Sequence, residues 1–122
     1  MNWLRAAALF GLLAVACGAF GAHGLRSRLS EQLMAAWQTG VLYHLIHALA
    51  LLALALYSRA TGARVTIPCA LMSLGIVLFS GSLYALALTG VTAFGIVTPF
   101  GGLAFLAGWA ALFVTGKSPT PP

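Results

Sequence analysis

The sequence predicts an all-α integral membrane protein, built as a bundle of four transmembrane helices. Of its 122 residues, 61% are hydrophobic and 6% are charged, and its mean hydropathy is +1.03. A soluble domain carries about 25% charged residues, because its surface faces water. Six basic residues and one acidic residue cannot cover a soluble surface of this size, whereas a lipid bilayer solvates an apolar exterior.

The charge-free intervals of the chain locate the four spans, since one crossing needs about 20 largely apolar residues. Intervals 6–25 and 32–58 each accommodate one crossing, and interval 65–116 accommodates two crossings with a tight turn. In that turn Gly90 is expected to end a helix, and Thr98 and Pro99 to begin the next as N-cap and first helical residue. The predicted helices cover about 3–22, 36–58, 66–89 and 98–115.

The remaining segments complete a single predicted domain over residues 1–116. The stretch RSRLSEQLMAAW offers Ser27 or Ser30 as N-cap and has spaced apolar residues. It predicts a short amphipathic interfacial helix between the first and second spans. Segment 90–97 is short and apolar and is expected at the interface. The proline-rich tail 117–122 is expected to be disordered.

A signal peptide is the alternative interpretation of the first apolar run. Arg5, the apolar core and Ala14–Val15–Ala16 before Cys17 fit such a peptide loosely. Cleavage would leave an odd number of spans, so we favour a retained first helix.

The basic residues are dispersed along the chain, although the net charge is +5. A nucleic-acid surface would need them gathered in one patch, so nucleic acid is excluded as a partner. The side of the membrane that holds both termini and the second loop has more cations, which predicts cytoplasmic termini. The cations on that side are Arg5, Arg59, Arg64 and Lys117, and those on the other side are Arg26 and Arg28, beside Glu31.

Small residues recur every three or four positions on the first and fourth helices. Lipid is as apolar as leucine, so membrane helices associate through close packing and interhelical hydrogen bonds. A helix-packing role is predicted for seven glycines: Gly18, Gly21, Gly24, Gly81, Gly101, Gly102 and Gly108.

The few polar side chains of the spans are the candidate binding residues. One hypothesis is a polar intramembrane pocket for a small neutral or lipid-like ligand, lined by His23, Tyr43, His47, Ser80, Ser82 and Tyr84. A weaker one is a metal or haem site through His23, His44 and His47. We favour a third, in which the histidines of helix two bond to serines, Tyr84 or backbone carbonyls of neighbouring helices. No metal or cofactor is then expected.

Catalytic signatures are missing from the sequence. The only acidic side chain, Glu31, lies in a loop, so no span offers a carboxylate pair for a proton relay. No nucleophile elbow, P-loop or dinucleotide motif occurs. The sequence therefore favours a non-enzymatic scaffold or accessory subunit, surrounded by the lipid bilayer and paired with a second copy or another membrane protein.

Four motifs in order carry a family resemblance over nearly the whole chain: GAFGAHGL (18–25), WQTGVLYHLIHALAL (37–51), FSGSLYALALTG (79–90) and TPFGGLAFLAGW (98–109). Together they resemble a small membrane-protein family of unknown function, the domain-of-unknown-function group typified by YgdD and YwdK. The resemblance implies four spans in a bacterial inner membrane and implies no activity. His44 is expected to vary within the family. The positions of this chain that the resemblance assigns to the family pattern are Gly18, Phe20, Gly21, His23, Gly24, Tyr43, His47, Ser80, Gly81, Ser82, Tyr84, Thr98, Pro99, Gly101, Gly102 and Trp109.

Overall fold

The computed structural model describes residues 2–116, and the regular elements in this range are all helical. Four helical segments are long and apolar enough to cross a membrane: Trp3–Leu25, Glu31–Thr61, Thr66–Thr89 and Thr92–Thr115. The prediction of an all-α protein with four candidate spans is confirmed. The expected disordered tail, 117–122, lies outside the described residues.

The first span consists of helix α1, Trp3–Phe20, and a wide π-helical turn, Gly21–Leu25. The side chain of Asn2 accepts a hydrogen bond from the backbone N–H of Arg5 at 3.3 Å, which satisfies one of the free donors at the start of a helix. The span ends at Leu25, three residues beyond the expected end at residue 22, because the π turn keeps the backbone helical through Leu25.

The second span is one continuous helix, α2, Glu31–Thr61. The hydroxyl of Ser30 caps it by accepting the N–H of Leu33 at 3.2 Å, and Gly62 ends it with a φ of +74°. The prediction of a separate interfacial helix is wrong, because residues 31–37 of that stretch form the first turns of α2 and residues 26–30 lie in the preceding turn. No proline or glycine interrupts residues 31–39, so nothing in the sequence breaks the helix where it enters the membrane.

The third span contains helix α3, Thr66–Gly75, a π-helical turn, Ile76–Ser80, and helix α4, Gly81–Thr89. As predicted, Gly90 ends this span. Its φ is +70°, and its N–H donates to the carbonyl of Leu86 at 2.7 Å. Such a left-handed conformation favours glycine, because it lacks a Cβ.

The fourth span starts with a 3₁₀ helix, Thr92–Ile96, in the segment expected at the interface, and continues as helix α5, Thr98–Thr115. The expectation that Thr98 is the N-cap is wrong: Val97 occupies that position, and no side chain caps the helix. The hydroxyl of Thr98 is instead 2.6 Å from that of Ser82 on α4.

The helices pack in a chain of neighbours, with α1 against α2, α2 against the third span, and the third span against α5. A buried apolar cluster connects all four spans. Its members are Ala7, Leu51, Leu54, Val65, Cys69, Met72, Ile76 and Phe105.

Glycines permit the closest helix contacts. A Cβ added to Gly21, Gly101 or Gly108 would collide with Trp37, with the backbone of Phe79 or with Met72, respectively. These three positions therefore hold neighbouring helices together closely, as small residues do in membranes.

The other predicted packing glycines do not make such close contacts with a neighbouring helix. A Cβ on Gly18 would lie 3.4 Å from Val41, and one on Gly102 would lie 3.9 Å from the ring of Phe79. A Cβ on Gly24 would meet Phe20 of the same helix. Gly81 has nothing within 4 Å of the Cβ position, so the prediction that it packs against another helix is wrong.

Candidate functional site

The two histidines of α2 form separate connections to different helices. The Nδ1 atom of His44 lies 2.8 Å from the hydroxyl of Tyr84 on α4. The Nε2 atom of His44 is buried without a hydrogen-bond partner among the described residues, and the ring of Phe10 on α1 meets the His44 ring edge-on at 6.2 Å. His44 therefore sits between the first and third spans.

His47 connects α2 to α5. Its Nδ1 atom lies 2.7 Å from the backbone carbonyl of Tyr43, and its Nε2 atom accepts the indole N–H of Trp109 at 3.0 Å. A carbonyl only accepts and an indole N–H only donates. Both contacts are satisfied only by a neutral imidazole with its proton on Nδ1. Its ring also stacks on Phe105, with centroids 3.6 Å apart.

The serines of the third span bond across to α2 and α5. The hydroxyl of Ser80, which is fully buried, donates to the carbonyl of Gly40 at 2.7 Å. The hydroxyl of Ser82 donates to the carbonyl of Phe79 at 2.8 Å. Because Ser82 has a single proton, Thr98 supplies the proton for the contact between their hydroxyls at 2.6 Å.

His23 is not brought to the other predicted binding residues. It lies exposed on the π-helical turn at the end of the first span. His47 is 16 residues beyond the start of α2, about 24 Å along the helix axis from that end. Within residues 2–116, no group of three or more His, Cys, Asp or Glu side chains is placed to hold a metal ion. The structure therefore does not support a shared site through His23, His44 and His47.

The predicted polar pocket is replaced by an open, mostly apolar groove of about 540 Å³ between α2, the third span and α5. We call it the α2–α5 groove. Of the six predicted ligand-binding residues, Tyr43 and His47 line it, while Ser80 and Ser82 are bonded inside the bundle. The full lining is Tyr43, His47, Phe79, Pro99, Gly102, Leu103, Phe105, Leu106 and Trp109.

A second groove, of about 390 Å³, meets the first at the indole of Trp109. It lies between the later parts of α2 and α5, where Ala50 and Tyr57 face Leu112. Trp109, Phe79 and Phe105 line the first groove but were not among the predicted binding residues. For Trp109 the sequence offered one signal, because an indole N–H within a membrane span needs a hydrogen-bond acceptor.

Comparison with known proteins places the chain among membrane proteins without an assigned activity. Residues 17–102 match the model of a protein family described as a protein of unknown function (DUF423). No solved structure matches the chain.

Relatives from several bacteria are similar over most of their length. The UPF0382 membrane protein YwdK of Bacillus subtilis is 47% identical over 109 residues, which cover 88% of this chain and 89% of that protein. The UPF0382 inner membrane protein YgdD of Escherichia coli is 46% identical over 112 residues, which cover 88% of this chain and 83% of that protein. A UPF0382 membrane protein of Staphylococcus haemolyticus is 44% identical over 108 residues, covering 88% of each chain. The predicted resemblance is therefore confirmed, and the chain belongs to the DUF423 family of membrane proteins of unknown function.

Proposed function

We propose that this protein is a non-enzymatic scaffold or accessory subunit of the bacterial inner membrane, which acts through helix packing. Inner-membrane localisation is supported by its relative YgdD, which is named an inner membrane protein. The partner in this proposal is a second copy of the chain or another membrane protein, within the lipid bilayer.

The observation that carries the proposal is the use of the His47, Ser80 and Ser82 side chains. Both nitrogens of His47, the hydroxyl of Ser80 and that of Ser82 bond within the bundle. Polar groups used in this way hold helices together and are not free for proton transfer or nucleophilic attack. The described spans contain no carboxylate side chain apart from Glu31, at the first residue of α2.

The first span offers the surface for such packing. It packs against α2, and its outer face carries large exposed side chains. Leu9, Leu12 and Val15 are 58%, 65% and 65% exposed. This face touches lipid in a monomer and is free to accept a partner helix.

The orientation we propose places both termini in the cytoplasm. Arg5, Arg59 and Arg64 lie at the ends of spans on the side that holds the termini. The other side carries Arg26 and Arg28 near Glu31. Excess Lys and Arg in the short cytoplasmic segments set orientation in membranes.

Photo-cross-linking in living cells tests the proposed packing role. A photoreactive residue is introduced singly at Leu12, Ile67 or Leu106, which are about equally exposed, at 65%, 65% and 67%, on three different spans. A packing partner gives one discrete protein adduct from the side that it contacts and none from the others. The proposal fails if all three positions give no adduct, or the same smear of adducts. Co-purification of two differently tagged copies identifies the partner as a second copy.

A further inference from the structure

The side chain of Tyr43 is placed at mid-membrane depth in the α2–α5 groove. It is 40% exposed and contacts Phe79, with ring centroids 4.6 Å apart. Phe79 and Phe105 each lie fourteenth in a candidate span of 24 residues, so this part of the groove is near the middle of the bilayer. Among the described residues, the hydroxyl of Tyr43 makes no hydrogen bond, in contrast to that of Tyr84.

A free hydroxyl at this depth points to a particular kind of ligand. Exposing an unbonded hydroxyl to hydrocarbon is unfavourable. The ester carbonyls of phospholipids lie at the edge of the hydrocarbon core, about 15 Å from its centre. A molecule whose polar group enters the core of the membrane would supply the acceptor that Tyr43 lacks.

The aromatic lining defines the shape of that polar group. The ring planes of Tyr43 and His47 differ by 9°, those of His47 and Phe105 by 14°, and those of Tyr43 and Phe105 by 21°. These rings stack on one another, and their shared orientation gives the groove a flat aromatic lining. Gly102 has no side chain and leaves the adjacent wall of the groove open.

We propose that the α2–α5 groove binds a flat, neutral ring with a carbonyl group and an apolar tail, which is the chemistry of an isoprenoid quinone. The hydroxyl of Tyr43 donates to the ring carbonyl. His47 positions the site without touching that carbonyl, because both of its nitrogens are already bonded. No charged side chain lines the groove, which fits a neutral ligand. This inference stands apart from the scaffold role and does not depend on it.

Equilibrium binding of a radiolabelled benzoquinone with a decyl tail tests the proposal. The full chain is placed in lipid nanodiscs, and binding to empty nanodiscs is subtracted. Saturable binding of one quinone per chain is expected. Tyr43→Phe keeps the ring and removes the hydroxyl, so the affinity should fall about tenfold, the effect of one good hydrogen bond.

Two further variants give the test its controls. Tyr57→Phe is the matched control, since Tyr57 is on the same helix, is 41% exposed and makes no side-chain hydrogen bond among the described residues. It should leave the affinity unchanged. Gly102→Leu should abolish saturable binding, because its Cβ is accommodated, with the nearest neighbour at 3.9 Å, and the rest of the added side chain fills the groove.

Several results would overturn the inference. One is the absence of saturable binding, and another is equal affinity in the wild type and Tyr43→Phe. Equally effective displacement of the quinone by decanol would mean that the groove accepts any apolar chain. A protein cross-linked from Leu103 in cells, without quinone binding, would mean that a helix occupies the groove. Because Tyr43→Phe preserves the packing ring, the test stands even where Gly102→Leu fails to fold.

Discussion

The indole N–H of Trp109 donates to Nε2 of His47 across 3.0 Å and ties the fourth span to the second. The two residues are 62 positions apart in the chain. The same contact selects the His47 tautomer, because the opposite nitrogen must donate to the carbonyl of Tyr43. This hydrogen bond therefore fixes both the pairing of α5 with α2 and the position of the proton on the His47 ring.

We expect His47→Ala to destabilise the protein by roughly 0.5–2 kcal/mol, the range for interhelical hydrogen bonds in membranes. Trp109→Phe should cost a similar amount, and the double variant should cost less than the sum, because each single change already breaks the shared bond. Unfolding in mixed micelles measures these free energies. Trp3→Phe, which removes no hydrogen bond seen in the structure, provides the comparison. If the free-energy loss of the double variant equalled the sum of the two single losses, the hydrogen bond between Trp109 and His47 would be contradicted.

The close contact at Gly101 predicts a size limit. Gly101→Ala should strongly destabilise the bundle, since the added Cβ would collide with the backbone of Phe79, and backbone moves less readily than a side-chain end. Gly81→Ala is the matched control, with free space at its Cβ position and a helical φ of −58°. It should be neutral or slightly stabilising. Thermal unfolding in detergent compares the pair, and equal losses would show that Gly101 has no special packing role.

Two serines of the third span, each with a buried hydroxyl, should respond in opposite ways. Ser80→Ala removes the donor to the carbonyl of Gly40 and should cost about 1 kcal/mol. The hydroxyl of Ser73 is buried without a partner, so Ser73→Ala should be neutral or stabilising, because it removes an unsatisfied polar atom. Chemical unfolding of both variants distinguishes them. A larger loss for Ser73→Ala would mean that its hydroxyl has a partner in the membrane.

The proposed orientation predicts the behaviour of reporter fusions. Alkaline phosphatase, which is active only outside the cytoplasm, should be inactive when fused after Gly116 and active when inserted after Ser27. Green fluorescent protein at the same two sites should give the inverse pattern. The reverse result would place both termini outside the cytoplasm and would contradict the charge argument.

The local features of the fold were predictable, since they depend on neighbouring residues. Charge-free intervals identified the four spans, and Gly90 was recognised as a helix end. The interfacial helix was predicted wrongly, because amphipathic spacing does not reveal whether a helix continues into the membrane. α2 continues through Trp37 without a break.

The candidate site was less predictable, because it depends on which helices become neighbours. The spacing of His44 and His47 places them on one side of α2, yet they bond to Tyr84 and Trp109 on different helices. The ligand-binding role of Tyr43 and His47 stays a prediction. Only the packing of α5 against the third span reveals that Phe105 lies beside them.

The uninterrupted run from Glu31 to Thr61 makes the second span about 46 Å long, against a hydrocarbon core of about 30 Å. The other three spans, of 23 or 24 residues, are about 35 Å long. This mismatch requires α2 to lean away from the bilayer normal or to stand above the headgroups at one end. A change in membrane thickness therefore affects the tilt of α2 more than the tilt of the other spans. A thinner bilayer favours a larger angle between α2 and the bilayer normal, and so a larger angle between α2 and the first span.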